Sequence, residues 1–154
     1  MPKVGLLVGS KSDLPLIKKC EDVLSSYTID YELRVLSAHR TPAETADFAE
    51  NAKSRGIDLI IAGAGMAAHL AGVVAAHTTI PVIGIPIKSG LLDGLDALLS
   101  TVQMPGGIPV ATVAVNGAEN AAHLAAQILS LKYPELELKI QEIRKQMREK
   151  VLSA

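Results

Sequence analysis

The chain has 154 residues, with 15 Lys and Arg against 16 Asp and Glu, a formal net charge of −1 at pH 7. That length favours one domain over residues 1–154, and that balance supplies no basic surplus for a nucleic-acid partner. Hydrophobic residues make up 49% but aromatics only 3%, so the apolar mass is Ala, Val, Ile and Leu, which suits a buried parallel sheet between helices.

The mean hydropathy of +0.30 predicts apolar surface hidden against further copies of the chain. A lone cysteine, Cys20, excludes an internal disulfide framework and any CxxC motif, and its place in a helical apolar pattern predicts a buried thiol. The opening MPKVGLLVGS lacks a cleavable signal architecture. Lys88 and Asp93 interrupt the longest apolar region, short of the ~18 residues of a membrane span. The expectation is a cytoplasmic protein with no membrane partner.

Val4 to Val8 is a continuous apolar run ended by Gly9, and Leu16, Ile17, Cys20, Val23 and Leu24 then fall at helical spacing within residues 14–27. Tyr31 to Leu36 reads as a second strand. Pro42, a residue favoured at the first helical position, opens a helix to about Arg55, which Gly56 closes. Strand three follows at 59–62, a short helix at 66–77, strand four at 82–87, a helix at 94–102, strand five at 110–115 and an Ala-rich helix at 118–131. After Pro134 a last helix carries Leu136, Ile140, Ile143, Met147 and Val151 on one stripe. The organisation expected is an α/β core over 1–131 and a C-terminal helix over 134–152 that packs on a neighbouring subunit.

Strands alternating with helices predict a three-layer, doubly wound parallel sheet of flavodoxin-like order 2-1-3-4-5, five strands in the core and an extended C-terminal helix. Such sheets bind ligands outside the carboxyl ends of their strands, which selects four loops. Gly9-Ser10-Lys11-Ser12-Asp13 offers hydroxyls and helix N-terminal amides to an anion, or else Ser12 or Asp13 merely caps the helix. It is neither a GxxxxGK[ST] nor a GxGxxG loop. Ser37-Ala38-His39-Arg40-Thr41-Pro42 pairs a proton-transfer residue with a bidentate anion fork, or is a solvated loop with Thr41 as cap. In Ala62 to Gly72 small residues, Gly65 among them, let backbone lie against a flat ligand, while His69, taken alone, reads more readily as a satisfied core histidine than as a catalyst. His77 and His123 read as structural. Lys88 to Gly94 and Gln103 to Gly107 read as a mobile cover or as ordinary turns. No HxxxH pair, Cys cluster or carboxylate triplet appears at these loops, so neither metal nor cofactor is expected.

Taken together, GSKSD, SAHRTP, AGAGMAAHLAG, PVIGIP and GLDALLSTVQMPGGIPV closely resemble the PurE family of purine biosynthesis, class I. The resemblance runs from Val4 to about Leu131, and the family's C-terminal helix has a counterpart after Pro134. It implies a cofactor-free, metal-free mutase that moves a carboxyl group from N5 of carboxyaminoimidazole ribonucleotide to C4 of the imidazole through enzyme-bound CO2. By motif, Ser10, Ser12 and Asp13 would bind the ribonucleotide, Ser37 and Gly65 would line the site, Arg40 would hold the phosphate, His39 would be the general acid/base, and His69 would sit beside the imidazole or CO2. The resemblance also implies a homo-octamer. Two departures stand out: Ala71 replaces a common proline, which predicts a looser loop, and Gly106 replaces an arginine found in some members. The class II alternative is direct carboxylation of aminoimidazole ribonucleotide by CO2. Non-catalytic alternatives fare worse: a flavin carrier lacks aromatics at these loops, and a receiver module lacks an acidic cluster, having Ala62 and Gly63 where its phospho-acceptor belongs.

Overall fold

The computed structural model describes residues 1–154. Its frame is five parallel strands in the order β2-β1-β3-β4-β5: β1 (Lys3–Val8), β2 (Asp30–Val35), β3 (Leu59–Gly65), β4 (Val82–Ile87) and β5 (Ala111–Thr112). The three inner strands are the runs with the densest apolar sequence, as strands covered on both faces require. Around them pack α1 (Leu14–Ser26), α2 (Pro42–Glu50), α3 (Leu70–Ala76), α4 (Leu95–Val102), α5 (Ala118–Ser130) and α6 (Glu135–Leu152).

The two-residue period of a strand divides the core. Val4, Leu6 and Val8 face Ile17, Cys20 and Leu24 of α1 and the alanines of α5. Leu7, Ile60 and Ala62 face Phe48 and Ala49 of α2 and Leu70 and Val74 of α3. Ala118, Ala121, Ala122, Ala125 and Ala126 are all fully buried, so α5 approaches both sheet and α1 on a face without long side chains. On the opposite face Gly5 makes room for Phe48, whose Cε1 lies 3.0 Å from where a Cβ would stand.

Three elements differ from expectation. Regular helix in α2 stops at Glu50, and turns carry the chain to Gly56, with Asn51 Nδ2 donating back to the Asp47 carbonyl at 3.1 Å. Residues 66–69 are not helical, because β3 continues to Gly65 in register with Ile87. The fifth strand pairs only at Ala111 and Thr112. Pro86 accounts for that: its carbonyl accepts from the Asn116 amide at 2.8 Å, but it has no N–H to return to the edge, so the ladder cannot extend.

The C-terminal helix α6 packs on its own chain through its first half. Leu136 and Ile140 are buried in the core beside α5, and Lys139 Nζ donates to the Tyr27 carbonyl at 2.8 Å and Thr28 Oγ1 at 2.7 Å. Met147, Val151 and Leu152 in its second half are exposed. No helix is long and apolar enough to cross a membrane.

Candidate active site

The loops leaving β1, β2 and β3 meet at the carboxyl end of the sheet around a cavity of about 530 Å³. Its walls include Ser10, Ser12, Asp13, Ser37, His39, Arg40, Gly65 and His69, so every site residue singled out from the sequence faces one space. Sheet order explains the convergence. Strand β1 lies between β2 and β3, so loops distant in sequence are neighbours across a single strand.

The first loop is tied to β3 by the Gly9 amide, which donates to the Gly63 carbonyl at 3.1 Å. A short 3-10 turn, Lys11–Asp13, precedes α1. Its cap is Ser10, whose Oγ accepts from the Ser12 amide at 3.3 Å and the Ser12 hydroxyl at 3.0 Å. This corrects the capping alternative: Asp13 makes no side-chain cap bond to α1, and its carboxyl is left to the cavity. Partial burial pushes the Asp13 pKa up, with a Ser10 backbone hydrogen bond pulling the other way.

The second loop is closed by its own side chains. Thr41 Oγ1 accepts from the Ser37 amide at 2.8 Å and donates to the Ser37 carbonyl at 3.0 Å; it makes no cap bond to α2, contrary to the capping alternative. Arg40 Nε donates to Ser37 Oγ at 3.2 Å, and Nη2 to the Gly9 carbonyl at 2.9 Å. The guanidinium is thereby held by two loops at once. It lines both the main cavity and an adjoining recess of about 340 Å³ walled by Gly9, Ser10, Lys11, Ser37 and Thr41.

His39 and His69 meet edge to face, ring centroids 4.6 Å apart and planes at 78°. His69 is exposed at the start of α3, which removes the core-histidine alternative. By contrast His123 lies away from the cavity against Tyr27, whose hydroxyl is 2.8 Å from Nδ1, and His77 pairs with Glu50. Ala71 sits buried inside the first turn of α3, not in a loop. Of the two glycine-rich stretches, only the first reaches the cavity, through Ser89. Gly106 faces open space. Ser89 and Met66 are wall residues that sequence reasoning did not single out; the positive φ of Met66 leaves no trace in its residue type.

The AIR carboxylase family model matches residues 3–150. The chain belongs to the AIR carboxylase family. Among relatives, it is 55% identical over 152 residues to an N5-carboxyaminoimidazole ribonucleotide mutase of Thermotoga maritima, covering 99% of this chain and 89% of that one. To the enzyme of the same name from Pyrococcus abyssi it is 60% identical over 148 residues, covering 96% of this chain and 85% of that one. Among solved structures, PurE of Treponema denticola superposes with a TM-score of 0.88 at 30% identity, covering 99% of this chain and 96% of that one. The AIR carboxylase fold thus accounts for the whole arrangement, the strand order and C-terminal helix included.

Proposed function

We propose that this chain is an N5-carboxyaminoimidazole ribonucleotide mutase of purine biosynthesis, the activity named for its relatives at 55% and 60% identity. The observation that carries the reading is the pairing of His39 with His69 on a cavity that Arg40 and Asp13 also line. In this role Arg40 anchors the nucleotide phosphate, with the adjoining recess beside Lys11 and Ser10 as its seat. Ser10, Ser12 and Asp13 hold the ribose side, Ser37 stands with Arg40 at the phosphate, and Gly65 borders the imidazole.

The chemistry needs a single mobile proton. As the N5–carboxyl bond breaks and CO2 leaves, His39 delivers a proton to the nitrogen. C4 of the electron-rich imidazole then attacks the trapped CO2, and the His39 ring removes the C4 proton, so the enzyme ends as it began. His69, edge-on to His39, keeps that ring oriented and walls the CO2 from water. Turnover of fresh N5-carboxyaminoimidazole ribonucleotide without ATP, compared with aminoimidazole ribonucleotide plus bicarbonate, tests the assignment. Efficient use of the carbamate supports the mutase; efficient use of low dissolved CO2 instead makes the chain a direct carboxylase.

We further infer one domain that works in the cytoplasm as a homo-octamer, its subunits meeting through the exposed stripes Leu92, Leu95, Leu99 and Val102 and Met147 and Val151. A monomeric mass in light scattering refutes the assembly.

A further inference from the structure

The turn after β3 holds a residue in an unfavourable conformation. Met66 has φ 56°, in the left-handed region that residues bearing a Cβ disfavour. Its amide lies just beyond the last β3–β4 pair, Gly65 with Ile87, and finds its partner in Ser89 Oγ at 3.1 Å. Ser89 continues the extended path of β4, with φ −160° and ψ 153°, and Gly65 admits its hydroxyl: a Cβ at position 65 would stand 2.7 Å from Ser89 Oγ. Beyond Met66 the turn is closed by bonds between residues two apart. The Ala68 amide donates to the Met66 carbonyl at 2.9 Å and the His69 amide to the Ala67 carbonyl at 2.8 Å; the His69 carbonyl then accepts from Val73 at 2.9 Å and starts α3. The Ser89 hydroxyl thus anchors the first residue of a tight turn, 66–69, whose last residue is His69.

We propose that Ser89 is a positioning residue: by accepting the Met66 N–H, its hydroxyl holds the left-handed turn that sets the Gly65–Ala67 backbone and the His69 imidazole against the substrate. The proposal rests on the mutase reading of this cavity. Because Ser89 also lines the cavity, direct contact with substrate is the competing role.

Four variants separate the two: Ser89→Ala, Ser89→Thr, Met66→Gly and the double Ser89→Ala/Met66→Gly. Each is measured by amide hydrogen exchange over residues 63–69 without substrate, and by kcat and KM on the N5-carbamate. Ser89→Ala is expected to speed exchange at Met66 and to lower kcat by about 2- to 12-fold, the worth of one net hydrogen bond, with KM nearly unchanged. Ser89→Thr keeps the acceptor and restores both. In the Met66→Gly background, where the left-handed turn needs no hold, removing the hydroxyl costs less. A rise in KM with kcat unchanged, an undiminished loss in the Met66→Gly background, or unaltered exchange in Ser89→Ala each overturns the proposal. An inactive wild-type chain sinks the mutase reading instead, and the exchange data still decide whether Ser89 holds the turn.

Discussion

Replacing Arg40 by alanine tests the anion anchor directly. The guanidinium has five N–H groups, of which one on Nε goes to Ser37 and one on Nη2 to Gly9. Both Nη1 hydrogens are without a protein partner, so a planar fork faces the recess already oriented and loses little freedom on binding. A charge-assisted hydrogen bond to phosphate contributes about 1.5–3 kcal/mol, or about 12- to 150-fold in Kd. The side chain is exposed, so solvent screening places the expected loss in the lower part of that range, about 12- to 40-fold. Arg40→Lys keeps the charge without the fork and falls between wild type and alanine. Since water can reach the partners released, thermal stability should stay within about 0.5 kcal/mol. Titration calorimetry with aminoimidazole ribonucleotide at two salt concentrations reads the result, the alanine variant showing the shallower salt dependence. An unchanged Kd, with the same salt slope as wild type, refutes the phosphate assignment.

Other outcomes follow from the same structure. His39→Asn should reduce turnover by about 100-fold or more, the scale of a lost general acid/base, with nucleotide affinity largely kept; equal loss of binding argues against a proton-transfer role. Gly84→Ala should cost about 1–3 kcal/mol, because the new Cβ would lie 2.4 Å from Thr101 Cγ2 and 2.9 Å from Val110 Cγ1. Thr101 cannot turn aside without breaking its bond to the Ala97 carbonyl at 2.7 Å, so an unaltered Tm contradicts this packing. Burial tends to raise the carboxyls of Glu32 and Asp58, but Arg34, Arg55 and Lys3 around the first and Lys132, Tyr133 and the Lys3 amide around the second hold both below their usual values of 4.5 and 3.8. The folded chain then binds fewer protons than the unfolded one. Their stabilisation is complete above those values and is lost as pH falls through the lower folded-state values. Glu32→Gln should flatten the acid limb of Tm against pH, and an unchanged limb rejects the network's role.

The inner strands were legible because residues such as Ile60, Ile61, Ile83 and Ile85 form runs that only a doubly covered strand accommodates. The site loops were legible for a related reason: polar and titratable side chains such as Asp13, His39 and Arg40 interrupt the pattern where those strands end. What escaped depends on partners distant in sequence. The shortness of β5 is written in Pro86, on another strand. The delayed start of α3 comes from the pairing of Gly65 with Ile87, which composition at 66–69 does not announce. Ser89 gave no signal as a serine in a turn; its meaning arises only when β4 delivers it to the amide of Met66. The apolar stripe of α6 is legible in the sequence, yet only the fold divides it into Leu136 and Ile140, buried at home, and Met147 and Val151, left uncovered.

The single thiol has a practical consequence. Cys20 is fully buried between α1 and the sheet, and burial, with Glu21 adding to it, pushes its pKa up to about 12. Almost none of it is thiolate at neutral pH. The native chain is therefore a silent background for maleimide or spin-label chemistry, with no cysteine to remove first. A probe placed at Met147 or Val151 reports whether the far end of the last helix meets solvent or another subunit, and one placed beside the cavity follows the loops as nucleotide enters.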